Sequence, residues 1–225
     1  MEKIVLNLNK INTGIRHSCE IAGRDPTSVR IVAATKYADI GQINNLLDLG
    51  IIDLGENKAD DLLKKSKTVK NKPVWHFFGH LQSNKIKKVV PIAQYIHSVD
   101  NIDTLSKIND FAKSIEKIQK VLVEINISNE ETKFGINKIE LNNFIMKAIK
   151  YDNIELCGLM TIAPWTDDYD YIRDIFKTLR NTLDDLNKSF DKLSLTELSM
   201  GMSNDYMIAV EEGATMVRIG SAIFK

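Results

Sequence analysis

Residues 31–37 read Ile-Val-Ala-Ala-Thr-Lys-Tyr, a short apolar run that ends in a threonine, a lysine and a tyrosine. Such a run is typical of a buried strand in a parallel sheet. A doubly wound open sheet usually has a glycine-rich turn after its first strand, whereas Thr35-Lys36-Tyr37 contains no glycine. This stretch therefore favours a closed barrel over an open sheet, provided that enough similar strands follow.

Seven further short apolar runs follow, and longer segments with helical periodicity separate them. The eight runs span residues 31–34, 51–54, 75–78, 95–99, 121–127, 154–160, 193–200 and 216–219. Alternating strands and helices predict a parallel sheet, because each crossover helix returns the chain to the same edge. We therefore predict a single α/β domain over residues 1–225, a (β/α)8 TIM barrel with an extra N-terminal helix over residues 2–22.

Two of the helical segments have apolar stripes with spacings of three and four residues. The first stripe comprises Ile102, Leu105, Ile108, Phe111, Ile115 and Ile118, and the second comprises Ile172, Ile175, Phe176, Leu179, Leu183 and Leu186. Each stripe predicts an amphipathic helix that packs on the sheet. Asp100 and Asn101 are candidate caps for the first helix, and Asp167 or Asp168 for the second.

The composition is ordinary for a soluble globular protein. Thirty Lys and Arg residues balance 30 Asp and Glu residues among the 225, so the net charge gives no indication of nucleic-acid or anionic-membrane binding. No apolar run approaches the length of a membrane helix, and the N-terminus has no signal-peptide core. Cys19 and Cys157 are far apart, which argues against a disulfide framework and against a thiolate metal site. We expect a cytoplasmic location, without nucleic-acid or membrane partners.

Function in such barrels concentrates at the carboxyl ends of the strands, and phosphates often bind after strands seven and eight. Lys36 follows the first strand, where its amine could form a Schiff base if burial leaves it uncharged, or could simply be a surface lysine. After the seventh strand, Gly201 permits unusual backbone angles and Ser203 could open a helix. The N-terminus of that helix would suit a phosphate, or Ser203 could simply cap it. After the eighth strand, Gly220 and Ser221 form a turn where the backbone could approach an anion.

Arg218 alternates with Val217 and Ile219 on the eighth strand, so its side chain points to the opposite face. An arginine inside a barrel is costly unless something pairs with it. Barrel closure would bring the eighth strand beside the first and thus Arg218 beside Lys36. An aldehyde-reactive amine next to a phosphate-binding turn fits pyridoxal 5'-phosphate (PLP) as the cofactor.

Two other segments lie at the mouth of the predicted barrel. Asn57 could hydrogen-bond a ring oxygen of a ligand or cap the helix that follows it. His76 and His80 lie in the third strand and at its exit. A histidine in an apolar strand is more often a satisfied core residue than a ligand, and the sequence fixes no acidic partner for either one. We expect no metal site.

Seven segments, in order along the chain, belong together. They are residues 35–37 (Thr-Lys-Tyr), 55–57 (Gly-Glu-Asn), 75–85 (Trp-His-Phe-Phe-Gly-His-Leu-Gln-Ser-Asn-Lys), 126–136, 158–164 (Gly-Leu-Met-Thr-Ile-Ala-Pro), 198–206 (Leu-Ser-Met-Gly-Met-Ser-Asn-Asp-Tyr) and 211–220 (Glu-Glu-Gly-Ala-Thr-Met-Val-Arg-Ile-Gly). Together they resemble the YggS/PROSC family of PLP-homeostasis proteins over nearly the whole chain. Phe78 stands where that family usually has a β-branched residue, and Asn129 replaces a common glycine. We expect both to alter local packing without touching the cofactor contacts.

The resemblance implies the barrel of the alanine racemase N-terminal domain, which is PLP fold type III. It also implies the residues that bind the cofactor. Carried over by position, these are Lys36 for the Schiff base, Ser203, Gly220 and Ser221 for the phosphate, Arg218 for the pyridine nitrogen, and Asn57 for the ring side.

Arg218 also bears on turnover, because a guanidinium opposite the pyridine nitrogen favours the unprotonated ring, a weaker electron sink. The resemblance implies that racemases of this fold add a tyrosine from a C-terminal β-domain, whereas this sequence ends at Lys225, directly after the eighth unit. We therefore expect no catalytic residues and a protein of intracellular PLP (vitamin B6) homeostasis. It would buffer PLP or deliver it, with apo PLP-dependent enzymes as candidate partners. The alternative is a weakly active amino-acid racemase that uses Tyr37 or a histidine as its acid.

Overall fold

A computed structural model, which describes residues 1–128, 130 and 134–225, contains eight parallel strands that close into one barrel in chain order. The strands are β1 (Arg30–Ala34), β2 (Asp53–Glu56), β3 (Val74–Phe77), β4 (Tyr95–Val99), β5 (Gln119–Glu124), β6 (Ile154–Met160), β7 (Glu197–Met202) and β8 (Met216–Ile219). Barrel closure pairs β1 with β8, and Val32 is the register partner of Arg218. The predicted (β/α)8 barrel is confirmed.

Helices separate the strands along the chain. They are α1 (Glu2–Ile21), α2 (Ile40–Asp48), α3 (Ala59–Thr68), α4 (Ile86–Val89), α5 (Ile102–Ser114), α6 (Lys138–Ala148), α7 (Tyr169–Ser189), α8 (Tyr206–Glu211) and α9 (Ser221–Phe224). The predicted N-terminal helix is present as α1, which packs against α8 and α9. Among the helices of the described residues, none combines the length and apolar character needed to cross a membrane.

The two predicted amphipathic helices differ in how well their stripes hold. All six stripe residues of α7 are buried, and the side chain of Asp168 caps the helix by accepting a hydrogen bond from the backbone N–H of Tyr171 at 3.0 Å. Asn101 caps α5 in the same way, accepting from Thr104 N–H at 2.8 Å. The α5 stripe was predicted too long. The helix ends at Ser114, so Ile115 and Ile118 lie beyond it, 40% and 61% exposed.

Three strands differ from their predicted bounds by two or more residues, whereas β1 and β3 begin one residue earlier than predicted and β3 also ends one residue earlier. β2 begins at Asp53 and ends at Glu56, which pair with Val74 and Phe77 of β3. β5 ends at Glu124 instead of residue 127. β7 begins at residue 197 instead of 193, because Asn187 of α7 holds the backbone N–H and carbonyl of Leu195 with its amide at 2.8 Å each.

The barrel interior is apolar in part and polar in part. Val32, Phe78 and Met216 form one interior cluster, and Leu122, Cys157 and Met160 form another. His76, His97 and Arg218 are also buried. Asn129, the second departure from the family pattern, lies outside the described residues.

Candidate functional site

Arg218 lies inside the barrel, as its alternation on β8 predicted, and is 5% exposed. Its Nη1 donates to the Ser199 hydroxyl at 2.6 Å, and its Nη2 donates to the Thr161 carbonyl at 2.9 Å. Burial lowers the pKa of Arg218 to about 10, and the negative charges of Asp205 and Glu124 oppose that change. The guanidinium therefore stays charged at neutral pH, with neutral acceptors as its direct partners.

The predicted phosphate-binding residues meet at one turn. The Ser203 hydroxyl, in the loop after β7, accepts hydrogen bonds from the backbone N–H groups of Gly220 at 3.3 Å and Ala222 at 3.1 Å. Ser221, the first residue of α9, lies between those two amides and is exposed. Backbone amides and hydroxyl groups thus converge where β8 ends, and this set of donors suits an anion.

Ser203 neither begins nor caps the helix that follows β7. The predictions that it opens this helix or caps it were both wrong. α8 begins at Tyr206 after Asp205, and the Asp205 carboxylate accepts from Met202 N–H at 2.5 Å. The turn before α8 depends on Gly201, which has a φ of 88°. A Cβ there would lie 2.5 Å from the Cβ of Ala209. The chain after β7 therefore turns toward the end of β8.

Lys36 lies in the turn between β1 and α2, and its side chain is exposed. Its Nζ is 5.2 Å from the centroid of the Tyr37 ring, which is itself 87% exposed. The burial that sequence reasoning required for an uncharged amine is therefore not seen. Lys36 nevertheless follows the end of β1, as predicted. At that end of the strand, Ala34 lies against Gly220, which follows β8. Its carbonyl oxygen is 3.3 Å from where a Cβ on Gly220 would stand.

A buried ion pair braces the backbone next to Lys36. Glu56, at the end of β2, is fully buried, and its Oε1 accepts from the Thr35 hydroxyl at 2.5 Å and from Lys65 Nζ at 2.7 Å. Lys65 also donates to the Thr35 carbonyl at 2.6 Å. These contacts connect the ends of β1 and β2 to α3 and hold the backbone of Thr35 in place. Lys36 therefore follows a residue whose position is fixed. Sequence reasoning assigned Glu56 no role.

Asn57 directly follows Glu56, and its side chain is exposed. Its alternative role as a helix cap is wrong. α3 begins at Ala59 after Lys58, and within the described part of the chain no side chain caps its first turn. A role on the ring side of a ligand stays a prediction.

A row of buried polar residues that sequence reasoning missed crosses the barrel interior. His76 Nε2 lies 2.9 Å from Asp53 Oδ1, and His76 Nδ1 lies 2.8 Å from His97 Nε2. His97 Nδ1 lies 2.8 Å from the hydroxyl of Ser199, which is the partner of Arg218. His76 is a satisfied core residue, as expected, and Asp53 is the acidic partner that the sequence did not reveal. The signal was available, because His97 interrupts an apolar strand just as Arg218 does.

His80 lies apart from this row. Its Nδ1 is 3.7 Å from Asp100 Oδ2, and its ring stacks on Phe134 with centroids 4.2 Å apart. Among residues 1–128, 130 and 134–225, no group of three His, Cys, Asp or Glu side chains is arranged to bind a metal ion.

Phe78 contacts Arg218, one of the predicted cofactor-binding residues, although we expected Phe78 not to touch any of them. Its ring centroid lies 5.9 Å from the guanidinium carbon of Arg218 and 5.0 Å from the His97 ring, in an edge-on arrangement. A Cβ on Gly55 would come within 2.0 Å of the Phe78 ring, so glycine is required opposite it. Phe78 therefore covers both Arg218 and His97 with an apolar surface.

Comparison with known proteins identifies relatives over the whole chain. The family model for the alanine racemase N-terminal domain matches residues 6–225. The chain is 35% identical over 218 residues to the pyridoxal phosphate homeostasis protein of Aquifex aeolicus, covering 96% of this chain and 95% of that protein. The chain belongs to the pyridoxal phosphate homeostasis protein family. Another member, from Synechocystis, is 39% identical over 207 residues, covering 91% of this chain and 94% of that one.

Solved structures agree with this family assignment. PipY of Synechococcus elongatus, with PLP bound, has a TM-score of 0.84 at 28% identity and covers 94% of this chain and 100% of its own. An unknown protein from Bifidobacterium adolescentis has a TM-score of 0.93 at 37% identity, with 99% and 95% covered. An alanine racemase from Clostridium difficile shares the fold alone, with a TM-score of 0.78 at 17% identity over 100% of this chain and 60% of that chain. The resemblance to the YggS/PROSC family and to the racemase barrel is confirmed.

Proposed function

We propose that this protein binds PLP at the mouth of the barrel, as a Schiff base on Lys36, and serves PLP homeostasis by buffering the cofactor or delivering it to apo-enzymes. One observation supports this most strongly. An accessible amine, an amide-lined turn and a buried guanidinium lie at the adjacent strands β7, β8 and β1. Family members named for PLP homeostasis and the PLP-bound PipY make PLP the ligand to which we assign these groups.

The residues present fit each part of the cofactor. Lys36 supplies the primary amine that an aldehyde requires, and its exposed side chain is accessible to an incoming ligand. The Gly220 and Ala222 amides, with the hydroxyls of Ser203 and Ser221, suit the phosphate. Arg218 suits the pyridine nitrogen, to which it can only donate. Asn57 is the weakest of these assignments and is placed toward the ring side.

We further propose that PLP is held without turnover. When bound, PLP supplies an electron sink, and that sink is strongest when its ring nitrogen is protonated. Arg218 is a permanent donor with a pKa of about 10, so it would favour the unprotonated nitrogen. Tyr37, the candidate acid of a racemase-like alternative, is 87% exposed, which leaves the hydroxyl in water instead of fixed above a substrate. The names of the relatives agree with a role in homeostasis.

Titration with PLP, followed by absorption spectroscopy, tests this proposal. The wild-type protein should develop the visible band of a Schiff base, and Lys36→Ala should lose it. Lys64→Ala, an exposed lysine on α3, is the matched control and should keep the band. A band of equal size in Lys36→Ala would overturn the site assignment. Sustained racemization of an amino acid by the wild type, abolished in Lys36→Ala, would favour the racemase alternative.

A further inference from the structure

The buried row that begins at Asp53 and ends at Arg218 has members on five strands. Asp53 lies in β2, His76 in β3, His97 in β4, and Ser199 in β7. Each of the three contacts that link Asp53 to Ser199 measures 2.8–2.9 Å, and the contact from Ser199 to Arg218 measures 2.6 Å. His76, His97 and Ser199 have no solvent exposure, so their polar atoms depend on one another. A row of polar residues is not needed to fill the barrel, because apolar clusters fill other parts of its interior.

When both imidazoles are neutral, the chemistry of the two ends gives every hydrogen bond in the row a direction. A carboxylate only accepts, so His76 Nε2 donates to Asp53 and His76 Nδ1 is left as an acceptor. His97 Nε2 must then donate to His76, which leaves His97 Nδ1 to accept from the Ser199 hydroxyl. From the other end, a guanidinium only donates, so Ser199 accepts from Arg218 and can donate its own proton to the acceptor nitrogen of a neutral His97. For neutral imidazoles, the directions assigned from the two ends agree, and each ring holds its proton on Nε2.

The charges around the chain agree with neutral imidazoles. Burial lowers the pKa of His76, although Asp53 opposes this change. Burial lowers the pKa of His97, and the positive charges of Arg218 and Arg30 lower it further. The Tyr95 ring stacks on His76 with centroids 4.8 Å apart, the Phe78 ring packs edge-on against His97, and neither histidine is exposed to solvent.

We propose that Asp53, His76 and His97 are positioning residues that act through Ser199 to hold the guanidinium of Arg218 in one orientation toward the ligand site. By accepting the hydroxyl proton of Ser199, His97 orients that hydroxyl so that its lone pairs face Arg218, and Thr161 holds the second nitrogen through its carbonyl. The remaining N–H groups of Arg218 then point in a fixed direction. The consequence for the ligand rests on the proposed function, whereas the direction of the hydrogen bonds along the row does not.

The direction can be measured without cofactor, by ¹⁵N NMR of the histidine rings in the wild-type protein at neutral pH. Both His76 and His97 should be neutral, with the proton on Nε2. Asp53→Leu removes the acceptor at the far end and should change the His97 ring signals, although Asp53 does not contact His97. Asp53→Asn keeps an oxygen acceptor and should leave them unchanged. A proton on Nδ1 of His97, or identical His97 signals in the wild type and Asp53→Leu, would overturn the proposal.

Binding of PLP tests the consequence for the site. His97→Phe should weaken PLP binding about tenfold, as expected for one displaced hydrogen-bonding group. It should also shift the balance of absorption bands, which a purely structural role would not move. Met160→Leu, another buried residue of the barrel interior, is the control and should bind as the wild type does. Wild-type affinity and spectrum in His97→Phe would overturn the positioning role. Absence of PLP binding by the wild type would instead refute the proposed function and leave the NMR result standing.

Discussion

Replacing Glu124 with glutamine should change how the stability of this protein depends on pH. Glu124 is the last residue of β5 and is 6% exposed. Burial, together with the negative charge of Asp100, raises its pKa from the ordinary 4.5 to about 7, and Arg218 only partly opposes this. Between these two pH values the unfolded chain has released the proton that the folded protein still holds. Stability is therefore lost as the pH rises from about 4.5 to about 7.

The size of this effect follows from the change in proton affinity. Each tenfold change in the proton affinity of Glu124 corresponds to about 1.4 kcal/mol, so the rise in its pKa from 4.5 to about 7 corresponds to about 3 kcal/mol of stability. The free energy of unfolding of Glu124→Gln, relative to the wild type, should therefore rise by about 3 kcal/mol between pH values of about 4 and about 8. Titrations of groups that do not interact with Glu124 are common to both proteins and cancel in this difference.

Urea denaturation of both proteins across this pH range measures the difference directly. Glu20→Gln, at an exposed position of α1, is the control for the loss of one surface charge and should show no comparable rise. A difference between wild type and Glu124→Gln that stays constant with pH would refute the claim that Glu124 is held protonated by burial.

Three further predictions concern the turn after β7, a helix cap and the phosphate. Gly201→Ala should cost more than about 1 kcal/mol in urea denaturation, because its φ is 88° and its Cβ would meet Ala209 at 2.5 Å. Gly23→Ala, also at positive φ but with nothing within 4 Å, should cost less, and equal losses would contradict the steric argument. Asn101→Ala should cost about 1 kcal/mol through the lost cap, and an unchanged urea midpoint would contradict that role. Ser203→Ala should weaken PLP but not pyridoxal, which lacks the phosphate; equal weakening of both would contradict a phosphate contact.

The fold could be predicted from the sequence wherever a strand is apolar to its ends. β4, β6 and β8 have their predicted bounds, and their number and alternation with helices were enough to indicate a closed barrel. β2 was misplaced by two residues because its ends are polar, with Glu56 fully buried and Asp53 half-buried. Their burial depends on partners from other strands and helices, which no local pattern reveals.

The candidate site was predictable in part for the same reason. Arg218 could be placed inside the barrel because alternation along one strand fixes its direction. The contact of Ser203 with the Gly220 and Ala222 amides could not be predicted from the sequence, because it joins the ends of two strands through their loops. The row from Asp53 to Ser199 depends on the register of four strands, so its members appear in the sequence only as separate polar residues.

The central claim is that Lys36 is the residue that holds PLP. Borohydride reduction of the PLP-loaded protein, followed by proteolysis and mass spectrometry, locates the attachment directly. This account predicts one phosphopyridoxyl group per chain, on the peptide that contains Lys36. Attachment to a different lysine, or its spread over several surface lysines with none preferred, would contradict the account.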